Sequence, residues 1–475
     1  MTTKLAEAAP LTGSAESSLQ IGVPRTMVWA AVGVGAILGV AYTLSPLSIW
    51  FAAGAFALLI AATRGLPEHE RRAVMIIIGL ALLARIVVVV ALLLMSPHDS
   101  QGALMLFGDE AYAQRRALRL RLIWGRMPGS PWDYTNAFDE YGWSAFLYLL
   151  AYVQLLFGPA PFALRLINGA LFVAGGAILF RLVRRAYGLL PAMVGMSLLL
   201  FLPSLFVWSI SLLKESLYFL FSAASLATSV AVVRAPSWRL RMRLAVLCAA
   251  FLVGLGLLRP GGFTLTVTAT ALGVLLWAAT TRVRTAIVAA TAAMLLIGVA
   301  VRTPSVRDRI LGNLQTSARI HGGHAFTIGH SYKVLDPAFY TEPTFHTWTL
   351  TPAQAGRYVV RAFASFITVP APWDLESKAE LAYLPEQVVW YLLVVFAPIG
   401  VIAGFRRDRL VTTMQIGYIT TAATGVALTS GNVGTLIRHR ALTTPYLIWF
   451  SALGIIVFVT WVSSRANSSR ELACR

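Results

Sequence analysis

The sequence predicts an all-α protein, a polytopic transmembrane bundle of about twelve or thirteen helices. Hydrophobic residues make up 57% of its 475 residues and charged residues only 12%. Mean hydropathy is +0.72. Soluble proteins carry about 25% charged residues, so this composition excludes an ordinary water-soluble enzyme. Disorder is excluded as well, because it requires low hydrophobicity and high charge.

Each predicted span is an apolar run, since about 20 apolar residues cross the hydrocarbon layer. Thirteen runs lie near 27–43, 45–63, 73–95, 143–157, 162–180, 189–207, 212–233, 244–258, 262–280, 285–301, 387–404, 411–430 and 443–464. The first begins after a polar segment and a second follows at once, which does not favour a signal peptide. The run at 143–157 is among the shortest and precedes Gly158-Pro159-Ala160-Pro161.

The net charge of +19 predicts the orientation of the bundle. Short arginine-rich loops are typically cytoplasmic, and anionic lipid phosphates attract them, so we expect membrane lipids and no nucleic acid as partners. These loops hold Arg64, Arg71 and Arg72; Arg181, Arg184 and Arg185; Arg234, Arg239, Arg241 and Arg243; Arg282 and Arg284; Arg406, Arg407 and Arg409; and, in the tail, Arg465, Arg470 and Arg475.

The arginine-rich loops all fall on the cytoplasmic side only if the run at 143–157 does not cross the membrane. We therefore predict an interfacial or re-entrant helix there. Twelve crossings then place both termini in the cytoplasm. The predicted organisation is a cytoplasmic tail (1–26), a membrane domain (27–464) and a second tail (465–475). Two outer loops, about 96–161 and 302–385, belong to the membrane domain. Cys248 and Cys474 are too few for a disulfide framework.

Adjacent acids follow the third span, at Asp109-Glu110. A carboxylate pair at an interface can serve as a general base or help hold a divalent cation, Mg²⁺ or Mn²⁺. A solvated turn or a helix N-terminus is the structural alternative. A second pair, Lys214-Glu215, lies at the predicted outer end of 212–233. Charges in apolar segments are usually functional or paired, although a pair can also snorkel to the interface.

Basic residues follow two other spans on the same predicted side, in Arg259-Pro260-Gly261-Gly262 and in 434–440, which ends Arg438-His439-Arg440. Arginine forks suit phosphate oxygens, which predicts a phosphate site; headgroup binding without catalysis is the alternative. The histidines His321, His324, His330 and His346 match no ligand template, so loop histidines are favoured over a metal site. Arg85, inside the third span, predicts either a carboxylate partner or a polar cavity.

In the order of these motifs the chain resembles the GT-C superfamily of integral-membrane glycosyltransferases. It is most similar to the bacterial branch of protein O-mannosyltransferases and aminoarabinose transferases, chiefly over 73–230. The resemblance is carried by the acidic pair with Tyr112, the amphipathic 143–157, and an acidic residue at the outer start of a later span, Glu215. Between them stand Phe157-Gly158, Arg165, Asn168-Gly169 and Arg184-Arg185-Ala186-Tyr187-Gly188. Tyr141-Gly142-Trp143 departs from the usual Pro-Pro or Lys-Pro.

The resemblance implies a GT-C bundle with interfacial helices in the first outer loop. It implies inverting, single-displacement transfer of a monosaccharide from a polyprenyl-phosphate donor to an acceptor hydroxyl on lipid, glycan or protein. The location would be the extracytoplasmic side of a bacterial inner membrane. Asp109 would be the base, Glu110 would position the acceptor or a cation, and Glu215 would line the cavity. Tyr112 would contact substrate, and the donor phosphate would contact Arg259, Arg438, Arg440, Lys214 and His439.

Two alternatives stay open from the sequence. A lipid-linked glycan polymerase or ligase would keep a long outer loop and outer arginines, without needing Asp109-Glu110. A secondary transporter predicts inverted repeats, broken helices and charges near the bilayer centre. The sugar, the acceptor and metal dependence are not predicted.

Overall fold

The computed structural model describes residues 24–96, 105–139, 144–341 and 349–473. Residues 1–23 of the predicted tail, Tyr141-Gly142-Trp143, His346 and Cys474 lie outside these ranges. Within them the protein is all-α, as predicted, and the only β pairing is an isolated bridge between Ser331 and Asn432. A 3₁₀ helix spans Pro337–Tyr340.

Nineteen α-helices make up the described parts of the chain. They are α1 Arg25–Leu44, α2 Leu47–Thr63, α3 Glu68–Leu94, α4 Gly108–Trp124, α5 Pro131–Ala137, α6 Ala145–Phe157, α7 Pro161–Tyr187, α8 Leu189–Phe201, α9 Pro203–Ile210, α10 Glu215–Arg234, α11 Trp238–Leu258, α12 Gly262–Thr281, α13 Val283–Arg302, α14 Pro304–Ala325, α15 Pro352–Thr368, α16 Lys378–Arg407, α17 Arg409–Thr429, α18 Val433–Arg440 and α19 Thr444–Ala473.

Every predicted apolar run coincides with a helix or, at 189–207, with a bent pair. Among the described residues, seven helices are long and apolar enough to cross a membrane, and the bent pair would make eight. Four further apolar helices are shorter: Arg25–Val40, Leu47–Thr63, Ala145–Phe157 and Val283–Leu296. The count of twelve crossings and the domain limits therefore stay predictions. The last helix continues to Ala473, beyond the predicted start of the second tail at 465.

The long helix α7 lies at the centre of the bundle, where 61% of its most apolar stretch is buried. It packs on α2, α3, α8 and α10. A second close pair is α16 with α19, where glycines allow the backbones to touch. A Cβ on Gly400 would lie 1.8 Å from the Phe450 carbonyl oxygen, and one on Gly454 would lie 2.1 Å from the Phe396 oxygen. Small residues of this kind permit tight helix packing in membranes.

The bent pair α8–α9 turns by 59° at Leu202. Pro203 lacks an N–H, so the helix ladder is interrupted there. The Leu200 carbonyl accepts instead from Arg85 Nη2 at 3.2 Å, and the Ser204 N–H donates to Glu386 Oε2 at 2.8 Å. Arg85 also donates to Ser209 Oγ at 2.9 Å. The sequence predicted a carboxylate partner or a polar cavity for Arg85. Its guanidinium instead caps the broken helix through Leu200 and Ser209.

The predicted cytoplasmic loops meet at one end of the bundle, here called the basic end. Arg181 donates to the carbonyls of Ala61 and Arg64 at 2.6 and 2.9 Å, and Arg409 donates to that of Thr280 at 3.0 Å. Further contacts join loops distant in sequence: Arg184 to Glu70, Arg234 to Asp408 and Arg407 to the Tyr187 carbonyl. The grouping of the loops agrees with the charge pattern, and the side of the membrane they face remains a prediction.

Candidate active site

A single arginine joins two carboxylates at the end of the bundle opposite the basic end. Arg438 of α18 donates to Glu215 Oε1 through Nη2 at 2.7 Å and through Nε at 3.1 Å. Its Nη1 donates to Asp109 Oδ2. Asp109 is the second residue of α4 and Glu215 the first of α10, where acids are favoured by the helix dipole. Arg438 therefore binds two carboxylates that lie 329 and 223 positions away from it in the sequence.

The ring of Trp208 in α9 packs against the Arg438 guanidinium. The Arg438 guanidinium lies 5.2 Å from its ring centroid, and Phe107 stacks on it with centroids 3.9 Å apart. Phe107 directly precedes α4, so the stack fixes the helix end that presents Asp109. Sequence reasoning missed Trp208, since a tryptophan in an apolar run is commonly an interfacial anchor.

Glu110 does not face the same space as its neighbour Asp109. Its side chain is fully buried in an ion pair with Arg165 at 2.8 Å. Oε1 also accepts from the Leu212 N–H at 2.7 Å, and Oε2 accepts from the Leu106 N–H at 2.9 Å. Both oxygens are thus occupied by protein donors. The prediction that Glu110 positions an acceptor or a cation is not supported by this geometry, which makes it a structural anchor.

The other residues of the family-like motif hold the segment that precedes α10. Asn168 Nδ2 donates to the carbonyls of Ser211 and Leu213 at 2.5 and 3.0 Å, and Arg165 Nη1 donates to that of Ile210 at 3.2 Å. These bonds satisfy the carbonyls left unpaired between α9 and α10. Glu110, Arg165 and Asn168 therefore shape the turn that delivers Lys214 and Glu215 to the site.

Arg259 and His439 form a second contact beside Glu215. Arg259 Nη2 lies 2.9 Å from His439 Nε2. A guanidinium can only donate, so Nε2 accepts and the ring carries its proton on Nδ1. Burial and the charge of Arg259 lower the pKa of His439 well below its ordinary value, which keeps the ring neutral. Arg259 consequently has a neutral partner rather than a carboxylate.

Two cavities meet at Arg438. An outer cavity of about 320 Å³ is lined by Asp109, Tyr112, Ala113, Ser144, Phe146, Leu147, Leu213, Lys214 and Arg438. A narrower inner cavity of about 30 Å³ is lined by residues that include Trp208, Glu215, Tyr218, Ser222, Arg259, Arg438, His439 and Tyr446. Arg438 is common to both linings, and Asp109 opens to the outer cavity with 68% of its side chain exposed.

The charges of the site are unequal. Burial lowers the pKa of Arg438, but the carboxylates of Glu215 and Asp109 outweigh it, so the net shift is upward. Burial, followed by the charge of Arg259, lowers the pKa of Lys214. Three cations, Arg438, Arg259 and Lys214, thus face two carboxylates, while His439 is neutral. The site carries a net charge of about +1 and favours an anion.

Arg440 lies apart from the other predicted phosphate ligands. Its side chain is buried, with Nε and Nη2 donating to the Phe366 carbonyl at 3.1 and 2.6 Å and Nη1 donating to Gln387 Oε1 at 2.9 Å. Nη2 also donates to the Val369 carbonyl. These contacts hold the end of α15 against α16. The geometry therefore does not support Arg440 as a phosphate ligand, because its donors point away from the two cavities.

No group of three metal-ligating side chains occurs in the described ranges. His321 Nδ1 lies 2.5 Å from the Ser430 carbonyl, His324 Nδ1 lies 2.7 Å from that of Thr429, and His330 pairs with Glu380 at 2.9 Å. These three histidines are held in separate contacts rather than around one point. The dependence on Mg²⁺ or Mn²⁺ stays a prediction.

No protein-family model and no curated protein matches the chain. A solved structure that does match is the archaeal oligosaccharyltransferase AglB from Archaeoglobus fulgidus, in complex with an inhibitory peptide and a dolichol-phosphate. The match has a TM-score of 0.44 and 15% identity, and it covers 82% of this chain and 51% of that chain. The chain thus spans about half the length of that neighbour. At this identity and TM-score, the match assigns no donor, acceptor or reaction to the chain.

Proposed function

We propose that the protein transfers a monosaccharide from a polyprenyl-phosphate donor to an acceptor hydroxyl by inverting single displacement. The observation that carries the proposal is the Arg438 bridge between Asp109 and Glu215, set directly beside Arg259 and His439. Carboxylate and guanidinium groups from four distant segments thus adjoin two cavities that share Arg438. A general base and a phosphate site are the two parts that such a transfer requires.

The cations of the inner cavity support a phosphate-linked donor. Arg259 and Arg438 line this cavity, and Arg259 contacts a neutral histidine rather than a carboxylate. A phosphodiester carries one negative charge, which guanidinium groups can bind through charge-assisted hydrogen bonds.

The proposed reaction uses the side chains as follows. The donor phosphate enters the inner cavity and accepts hydrogen bonds from Arg259 and Arg438, which turns Arg438 away from Asp109. The freed carboxylate takes the proton of the acceptor hydroxyl as that oxygen bonds to the anomeric carbon. The bond from this carbon to the phosphate oxygen breaks on the opposite face, which inverts the configuration. The two guanidinium groups stabilise the charge that develops on the departing phosphate.

The setting of the site is consistent with a lipid donor. Glu215 and Arg259 lie at the ends of apolar helices, where a lipid phosphate would lie with its tail between spans, and Asp109 lies beside them at the start of α4. The arginine-rich loops gather at the opposite end, and the charge rule makes that end cytoplasmic. We therefore propose that the reaction takes place on the extracytoplasmic side, and the family resemblance implies a bacterial inner membrane.

The Asp109→Asn variant tests the proposal. Purified protein would be incubated with labelled polyprenyl-phosphate sugars and native membrane extract, and transferred label would be counted. We expect Asp109→Asn to lower transfer by about 10²–10⁴-fold, because the base is lost. Its melting temperature in detergent should stay close to that of wild type, since the Asp109 side chain is exposed. The control is Asp308→Asn on α14, an exposed acid paired only with Arg307.

Unchanged transfer by the Asp109→Asn variant would overturn the proposal. Turnover of diphosphate-linked oligosaccharide alone would favour the ligase or polymerase. The transporter alternative has one observation in its favour, the broken helix α8–α9 with Arg85 buried beside it. Uptake of a labelled lipid-linked sugar into proteoliposomes, with no transfer to any acceptor, would support that alternative.

A further inference from the structure

We propose that the acceptor is an anionic lipid-linked glycan whose phosphate group binds Lys214 in the outer cavity. The inference rests on the proposed function, because it takes Asp109 as the base and so assigns the outer cavity to the acceptor. It adds the chemical class of the acceptor, which the sequence left open between lipid, glycan and protein.

Lys214 is the cation of the outer cavity that has no carboxylate of its own. In the described chain its ammonium makes no ion pair within 4.0 Å, whereas Arg438 holds both nearby acids. The charged groups that act on Lys214 are Arg259, Glu215, Arg438 and Asp109. Because Arg438 contacts both acids, the Lys214 ammonium can contact a ligand.

The cavity places this cation close to the base. Lys214 and Asp109 line the same space, and Tyr112 lies on the helix face one turn after Asp109. An acceptor held at Lys214 by a charged group would thus present a neighbouring hydroxyl to the Asp109 carboxylate. Charge-assisted hydrogen bonds of this kind are strong and give orientation as well as affinity.

The remaining walls of the cavity are apolar, and they favour a lipid over a polypeptide acceptor. Ala113, Phe146, Leu147 and Leu213 line it, with Ser144 at the start of α6. On its other face α6 exposes Leu149, Tyr152 and Leu156, as an interfacial helix in contact with lipid would. A cavity with charged groups on one side and apolar residues on the other suits an amphiphile with an anionic headgroup.

The competing use of Lys214 is as a third ligand of the donor phosphate. The lining of the cavities argues against it, because Lys214 borders the outer cavity and is absent from the inner one, while Arg259 and His439 line the inner cavity. Arg438 lies between the two groups. Two anions, one from the donor and one from the acceptor, can therefore bind on either side of it.

A labelling experiment separates these uses of Lys214. The sequence contains only four lysines, so modification by an amine-reactive reagent can be read residue by residue by mass spectrometry, with Lys333 and Lys378 as internal controls. The full chain in dodecyl maltoside would first be saturated with undecaprenyl phosphate, and dodecyl phosphate would then be added. We expect the first lipid to leave Lys214 reactive and the second to protect it about tenfold. Protection by undecaprenyl phosphate alone, or none by dodecyl phosphate, would overturn the inference.

A transfer experiment then identifies the acceptor class. Label moved from polyprenyl-phosphate sugars into native membrane extract would be separated by anion exchange into anionic lipid, neutral lipid and protein fractions. We expect it in the anionic lipid, with Lys214→Met lowering that fraction about tenfold and Lys214→Arg restoring it. Label in protein or neutral lipid would defeat the inference and leave the proposed function standing. The absence of any transfer would defeat the proposed function and the inference together.

Discussion

The two ends of the bundle use the same residue type in opposite ways. At the basic end, arginines donate to backbone carbonyls at helix ends or pair singly with an acid, as Arg184 does with Glu70 at 2.6 Å. At the site end, Arg438 serves two acids, Arg259 rests on a neutral histidine and Lys214 has no acid. The described arginine contacts at the basic end join helix ends to one another, whereas at the site end the cations border two cavities.

The helix ends account for the arginine–carbonyl contacts at the basic end. Carbonyls of the last turn are unpaired in every helix, and cations are stabilised by the dipole there. Thr280 and Tyr187 each lie at the end of a helix and accept from Arg409 and Arg407. At the site end, Asp109 and Glu215 lie at helix starts, where the dipole favours acids. Arg259 and Arg438 lie at the ends of α11 and α18, where it favours cations. Helix starts and helix ends therefore meet at the site, which brings acids and guanidinium groups together.

The largest loss of stability should come from Arg438→Ala. Removing this guanidinium leaves the Glu215 carboxylate, 11% exposed, without its charged partner. We expect a loss of about 3–5 kcal/mol of stability, and a fall in transfer of about 10²–10³-fold per folded molecule. Detergent unfolding and the transfer assay would measure both. Arg361→Ala, in a side chain 49% exposed, is the matched control. Equal stability of the two variants would mean that the bridge contributes little.

A smaller effect should follow from Glu110→Gln, which separates the two adjacent acids. Loss of the charge leaves Arg165 buried without a carboxylate, so we expect about 2–3 kcal/mol of destabilisation. Transfer per folded molecule should stay within about threefold of wild type, because Glu110 faces neither cavity. The measurement compares the transfer rates of Glu110→Gln and Asp109→Asn at equal concentrations of folded protein. If Glu110→Gln folds normally but transfers nothing, the structural role assigned to Glu110 is wrong.

At the basic end the effect should be smaller again. Glu70→Gln removes the partner of Arg184, whose side chain is 26% exposed, so solvent and phospholipid can replace the carboxylate. We expect about 1 kcal/mol of destabilisation and unchanged transfer. A melting curve and the transfer assay, run beside Glu68→Gln in the exposed pair with Arg72, are sufficient. A loss of transfer here would contradict the division of roles between the ends.

The smallest effect is expected at Asp336, which accepts from Arg357 at 2.9 Å and Arg361 at 3.1 Å on the outer segment. The hydrogen bond from Arg357 is the main cause of a lowered pKa of Asp336. A lowered folded-state pKa contributes stability above the unfolded value, about 3.9, which is lost as the pH falls through the folded pKa. Melting temperatures of wild type and Asp336→Asn should therefore differ slightly at pH 7 and converge toward pH 2. A constant difference would contradict the assignment.

Much of the fold was predictable because a helix that crosses a membrane requires a long run of apolar residues, which the sequence shows directly. Every apolar run became a helix, and the loops grouped by their arginines are in contact at one end. The sequence analysis did not predict helices α4, α14 and α15 as separate elements. Charged residues are spread through each of them, so none forms a continuous apolar run. The break at Pro203 was also missed within the run 189–207. Apolar composition there is continuous, and only the loss of a backbone N–H marks the turn.

The site was predictable as a set of residues and not as an arrangement. Six residues were predicted because they are charged or polar groups near the outer ends of spans, and the structure brings them together. They are Asp109, Lys214, Glu215, Arg259, Arg438 and His439. The same reasoning could not separate Asp109 from Glu110 or Arg438 from Arg440, because near neighbours on a helix share composition and membrane depth. Their side chains point about 100° per residue apart, so one faces a cavity and the other faces protein.

By itself, the sequence determined which segments form apolar helices and which loops carry the surplus of arginines, since both depend on composition that adds residue by residue. Only the tertiary structure decided which guanidinium meets which carboxylate. That choice depends on distances of about 3 Å between segments more than 200 residues apart, and no local pattern encodes them.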